Sequence, residues 1–298
     1  MVKQPSSGRA SAGRARYGLW LAVLWLALVI PGGWPAAQAE TRPSTDCFSL
    51  ADLPPEQRTR AEALFLAILD SEALYTVAGD LKPMSSGYVR FQFDVAAPDL
   101  GEIETTRTLL AHFRCGDRFY ADVLTFAAIH DGKRYAEGVV FNRAALRRAV
   151  GVHAGYFAPL GITPNAHPMD MLNKVEHADR SARWRGYGYL FGYPDAAVDF
   201  FVAAGETQAA TGKFVERDFM HIPTYARDTG AFTWAVAKGH RATEEEERLR
   251  TRAMAILEDY RKRRAEFIGD GKPGVIELLR ALTAPAQAKP ARVARHSS

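Results

Sequence analysis

Histidine and carboxylate side chains lie closest together in sequence between His167 and His177. If this stretch is helical, Asp170, Lys174 and His177 recur at steps of four and three and share one face. His167 then stands just ahead of the first turn, and Glu176 lies beside His177. Zinc and iron sites need imidazole and carboxylate donors converging on one point, so His167, Asp170 and His177 are the candidate metal ligands. Glu176 and His177 are candidate acid and base groups for a hydrolytic reaction. The spacing matches no HExxH, Cys-x-x-Cys or two-His-one-carboxylate motif, and a solvated helix face explains Asp170 and Lys174 without any ligand.

A second group of functional side chains follows at once. Arg183, Trp184 and Arg185 precede Tyr187, Tyr189, Phe191 and Tyr193, while Gly186, Gly188, Leu190 and Gly192 occupy the alternate positions. Period-two spacing predicts a strand with aromatics on one face and glycines on the other. Packing in the core is the ordinary role of such a face. Its functional role would be a binding platform: rings stack on a ligand and the arginines take a carboxylate or phosphate. Arg183, Trp184, Arg185, Tyr187, Tyr189 and Tyr193 are therefore the candidate binding residues.

Lys82, Ser85 and Ser86 lie together in the polar loop 79–87, which makes Ser85 a candidate nucleophile. A nucleophilic serine needs a base in reach, and neither Ser-x-x-Lys nor Gly-x-Ser-x-Gly occurs there. The stretch from Gly205 to Lys213 is not a phosphate loop, since its glycines are too far apart and Phe214 stands where Ser or Thr is required. Arg261 to Arg264 share their helix with Glu258, Asp259 and Glu266, which makes a solvated face and not a nucleic-acid patch. No cofactor fingerprint appears, and none is assigned.

The elements that must position these groups can be read from periodicity. Helical spacing runs from Pro54-Pro55 to about Val77, and strict alternation from Val89 to Val95 predicts a strand. Pro98-Asp99 opens a helix through Phe113. Two strands, 118–129 and 134–141, flank Asp131-Gly132, a pair suited to a tight hairpin. Asn142 can cap a helix to Val150, and a further helix spans 169–178. After the predicted strand 186–193, a helix starts at Pro194-Asp195, two strands span 214–222 and 231–237, and Thr243 opens a long charged helix with acids in its first turn. A short helix, 275–282, closes the fold. The expectation is an α+β fold with a mixed, largely antiparallel sheet, residues 40–284 forming one domain. Strand, Pro-Asp helix and strand pair occur in both 54–141 and 142–238, which suggests duplication of an α-β-α-β-β unit; helices over 242–283 follow.

Residues 1–39 have the form of an export signal: Lys3, Arg9, Arg14 and Arg16, then an apolar run from Tyr17 to Ile30, then Ala37-Gln38-Ala39. Cleavage is expected after Ala39. The apolar run is about fourteen residues, short of the roughly twenty needed to span a bilayer, so no stable membrane span is expected once the signal is removed. The chain carries 38 Lys plus Arg against 34 Asp plus Glu. Removing those four basic residues leaves the charges balanced, and the usual argument from a basic chain to nucleic acid fails. Residues 285–298 have too little apolar content to order. In an oxidising compartment the two cysteines, Cys47 and Cys115, are expected to pair. Export also argues against nucleotide-dependent chemistry. The expected protein is exported, soluble and periplasmic or secreted. It binds an envelope ligand or partner without catalysis, or alternatively hydrolyses an envelope substrate with metal or acid-base groups.

Overall fold

A computed structural model describes residues 47–284. The expected signal and its cleavage point, and the expected unordered tail, lie outside the described residues. Helix α1 (Pro55–Asp70) begins at a proline, whose missing N–H costs nothing in a first turn. It buries Ala61, Phe65, Ile68 and Leu69. The pattern predicts one helix through Val77, but the chain breaks at Ser71. The Ser71 hydroxyl donates to the Ile68 carbonyl at 2.8 Å and accepts from the Ala73 N–H at 3.1 Å, an alternative to continued helix. Helix α2 (Leu74–Val77) follows, buried on every side.

Strand β1 (Met84–Asp94), strand β2 (Phe119–His130) and strand β3 (Lys133–Asn142) form an antiparallel sheet of order β1-β3-β2. Asp131 and Gly132 join β2 to β3 with φ of 50° and 73°, as a tight hairpin demands. Alternation puts Ala121, Val123, Ala136 and Val140 on one face, packed with α1, helix α3 (Gly101–Ala111) and a larger core that runs from Phe48 to Leu279. Leu124, Val139 and Phe141 point the other way. They meet helix α4 (Arg143–Val152), the short helix α5 (Ala154–Phe157), helix α6 (Pro168–Glu176) and helix α7 (Arg180–Leu190).

Helix α7 overturns the strand expected over 186–193. The Asp179 carboxylate caps it by accepting from the Ala182 N–H at 3.0 Å. Its glycines serve close helix contact: a Cβ on Gly186 would lie 2.7 Å from Val175, and one on Gly188 would lie 2.6 Å from Val198 of helix α8 (Asp195–Thr211). Small residues at a crossing imitate the alternation of a strand. Because this stretch is helical, residues 142–238 run through helices before reaching strands β4 (Arg217–Ile222) and β5 (Phe232–Ala237), so the α-β-α-β-β order is not repeated.

Helix α9 (Glu244–Phe267) opens with a reciprocal capping box between Thr243 and Glu246, and helix α10 (Val275–Thr283) follows. Cys47 and Cys115 are bonded, with Cα atoms 5.1 Å apart, which ties the segment before α1 to the start of the β2–β3 hairpin. Helices pack against an antiparallel sheet, the arrangement of an α+β fold. Among the described residues no helix is long and apolar enough to cross a membrane.

Candidate functional site

The break after α1 and the β4–β5 loop together border a cleft of about 700 Å³, lined among others by Glu72, Ser86, Arg90, Tyr193 and Arg227. Its most unusual neighbour is Lys82, wholly buried in the wall behind it. The Lys82 Nζ lies 3.9 Å from the ring centre of Phe232, 5.1 Å from Phe191 and 5.3 Å from Tyr193, so three aromatic faces surround the amine. It donates to Glu72 Oε2 at 3.4 Å. Burial pushes the lysine pKa below its ordinary value, and the Glu72 carboxylate opposes that shift by favouring the ammonium. Ring quadrupoles attract a cation in the same sense.

Local sequence explains the assembly. Gly192, with φ of 70°, lets the end of α7 press on the loop, where a Cβ would fall 2.9 Å from the Leu81 carbonyl oxygen. That approach carries Tyr193 to the lysine. Gly87, with φ of 81°, sits in an irregularity of the β1–β3 pairing between Ser86 and Arg90. There the Ser86 hydroxyl donates to Glu137 Oε2 at 3.0 Å and Arg90 Nε meets Glu137 Oε1 at 3.0 Å. The β4–β5 loop is anchored from below. Tyr75 donates its hydroxyl proton to the Pro223 carbonyl, the Ala226 N–H donates to the Asp70 carbonyl at 3.0 Å, and Thr224 N–H donates to the Arg227 carbonyl at 2.7 Å. Asp70 is itself fixed by two bonds from Arg264, at 2.8 and 3.0 Å, and one from Tyr260 at 2.6 Å. The Arg227 guanidinium makes no ion pair among the described residues.

The residues singled out by sequence are dispersed. His167 caps α6, its Nδ1 accepting from the Met169 N–H at 3.3 Å, with its ring edge-on to Tyr120. His177 Nδ1 lies 2.8 Å from the Asn173 carbonyl, and Asp170 is exposed. Among the described residues no three His, Cys, Asp or Glu side chains stand together as a metal site. Glu176 points inward, accepting from the Ala127 N–H at 2.8 Å and from the Tyr187 hydroxyl at 2.7 Å. Successive helical residues diverge by about 100°, so Glu176 and His177 do not face one another. Ser85 is buried 2.8 Å from the Thr76 hydroxyl and donates to the Glu72 carbonyl at 3.4 Å.

The same helical geometry separates the expected binding platform. Arg183 donates to the Glu176 carbonyl, Trp184 packs edge-on to Phe201, and Arg185 holds Asp199 and the Tyr189 hydroxyl. Tyr189 stacks on His153 at 3.7 Å. Tyr193 alone reaches the cleft. Sequence reading passed over Glu72, Arg90 and Arg227. Its one available signal was the apolar run Leu74–Val77, too continuous for a half-exposed helix and so a mark of a buried floor. No protein-family model matches the chain, and no curated protein or solved structure was found that matches it.

Proposed function

We propose that the chain is a non-catalytic ligand-binding protein of the cell envelope, exported behind its N-terminal signal, and that the cleft receives a small polar ligand bearing a carboxylate. One observation carries the reading: Arg227, a cation without an ion pair among the described residues, stands on a loop anchored over a cleft of about 700 Å³. Guanidinium groups bind carboxylates through two parallel hydrogen bonds, and Arg90 on the same cleft, although its Nε is paired with Glu137, adds positive charge beside the ligand. Tyr193 supplies an aromatic wall, and the Ser86 hydroxyl and Glu72 carboxylate can orient polar substituents. The hydrolytic alternative lacks support of this kind, because neither Ser85 nor Glu176 lines the cleft.

Thermal unfolding in the presence of acetate, succinate, glutamate and N-acetylated amino acids tests the idea. A ligand at a hundred times its Kd stabilises the native state by about 2.7 kcal/mol, a readily measured rise in Tm. At least one carboxylate should produce it, and Arg227→Ala should abolish it while leaving the unliganded Tm within a degree or two. A carboxylate effect that survives in Arg90→Ala with Arg227→Ala would place binding elsewhere.

A further inference from the structure

Outside the residues that line the cleft, α8 ends at Thr211 and the chain turns at Gly212, with φ of 70°, before entering β4 at Arg217. Four aromatic or cationic contacts run in unbroken sequence across this corner. The Arg180 guanidinium lies 5.9 Å from the Trp184 ring, Trp184 is 5.5 Å edge-on from Phe201, and Arg217 lies 5.8 Å from Phe201 and 4.6 Å from Phe214. Gly205 makes the first part possible, since a Cβ there would fall 2.2 Å from Trp184. Phe219 stands two residues after Arg217 on the same face of β4.

Phe201, Phe214 and Phe219 expose 37%, 63% and 53% of their surface. Adjacent exposed aromatics of this size mark a surface that meets something apolar. Arg180 and Arg217 have no carboxylate partner among the described residues; Arg217 Nε donates to the Val215 carbonyl at 3.1 Å, which leaves its two Nη groups for a phosphate. Among the neighbouring acids, Asp199 is engaged by Arg185 and Asp218 by Lys238, whereas Glu216 is exposed without an ion pair among the described residues. Lys213, exposed beside Phe214, adds a third cation.

We propose that this corner docks on an anionic phospholipid surface. Phe214, Phe219 and Phe201 enter the boundary between headgroups and acyl chains, while Arg180, Arg217 and Lys213 meet lipid phosphates. The rings stand on a helix, a turn and a strand, none of which contributes them to the cleft, so a broad face suits them better than a small ligand. The inference is independent of the carboxylate site.

Flotation with lipid vesicles tests it, using the chain from Glu40 that cleavage after Ala39 would leave. The cores are built from Phe48 to Leu279, so this chain retains them, and it lacks the apolar run Tyr17–Ile30 that would bind lipid by itself. Vesicles of phosphatidylglycerol with phosphatidylcholine should be bound, and pure phosphatidylcholine only weakly, with binding falling as salt rises. Phe214→Ser with Phe219→Ser should weaken binding at least tenfold. Arg180→Gln with Arg217→Gln should weaken it severalfold on anionic vesicles and little on neutral ones. Circular dichroism should show every variant folded, and Arg217→Gln alone provides the milder test. Absence of binding to anionic vesicles, or binding unaltered in both double variants, would overturn the proposal. So would retention on alginate without vesicle binding, which would make the corner a glycan surface.

Discussion

Removing either member of the Lys82–Glu72 pair should have unequal consequences. Lys82 is wholly buried, whereas the Glu72 side chain keeps 18% of its surface and lines the cleft. Glu72→Ala therefore leaves a cation with no counter-charge and no water. Breaking a buried pair in this way costs about 3–5 kcal/mol, and the ring at 3.9 Å offsets about 2 kcal/mol of that, so a net loss of about 1–3 kcal/mol is expected. Lys82→Met leaves Glu72 facing water and fills the aromatic box with a flexible apolar chain whose sulfur favours ring contact. Its expected cost is below about 1.5 kcal/mol. Adding Lys82→Met to Glu72→Ala should restore most of the loss.

The pH dependence carries a definite sign. With Glu72 gone, burial lowers the folded pKa of Lys82 further below the unfolded value near 10.4. Between those two values the unfolded chain binds more protons than the native one, so stability rises with pH. The Glu72→Ala deficit should shrink as pH rises toward that unfolded value. Urea denaturation at several pH values measures each quantity. A Lys82→Met variant weaker than Glu72→Ala, or a deficit that grows with pH, would refute the reasoning.

Gly188→Ala should destabilise by about 1–2 kcal/mol despite the better helix propensity of alanine, because its Cβ would meet Val198 at 2.6 Å; Val198→Ala should recover part of the loss in urea denaturation, and an unchanged midpoint for Gly188→Ala would contradict the packing. Burial raises the tyrosine pKa at Tyr75, Tyr88, Tyr193 and Tyr260, and Tyr120 and Tyr156 are each pushed up to about 12. Folded values above the unfolded value near 10 mean that the native state holds more protons above pH 10, so stability should fall there. Phenolate absorbance should accordingly rise in two stages, the second coincident with loss of circular dichroism; a single step near pH 10 with the fold intact would contradict this.

Local signals in the sequence were reliable where the responsible contacts are local. Asp131-Gly132 carries its own turn preference, Thr243 and Glu246 their reciprocal cap, and the alternation of Phe91 and Phe93 one half-buried face of β1, although Val95 at its end is exposed. The stretch 186–193 misleads because two different packings ask for the same residues. A strand facing a close neighbour and a helix crossing at close range both need small residues on one side, and what decides between them is contact with Val175 and Val198, which stand on other helices. Metal-ligand spacing on α6 was likewise legible as a helix face but not as a site, since His167 and His177 each bond to their own helix.

The cleft could not be read in advance for a different reason. Its side chains come from the break after α1, the irregular part of β1, the end of α7 and the β4–β5 loop, and nothing in any one of these segments specifies the others. What joins them is Lys82, whose amine touches Glu72 from the first segment, Phe191 and Tyr193 from the third, and Phe232 at the start of β5. A buried pair of this kind adds little to stability, but it has few alternative positions, because a displaced ammonium would lose both rings and carboxylate. The cleft walls are thereby held before a ligand arrives, which limits the side-chain ordering that binding must bring about. Arg227, exposed at the tip of an anchored loop, is the group left free to adapt to the ligand's carboxylate.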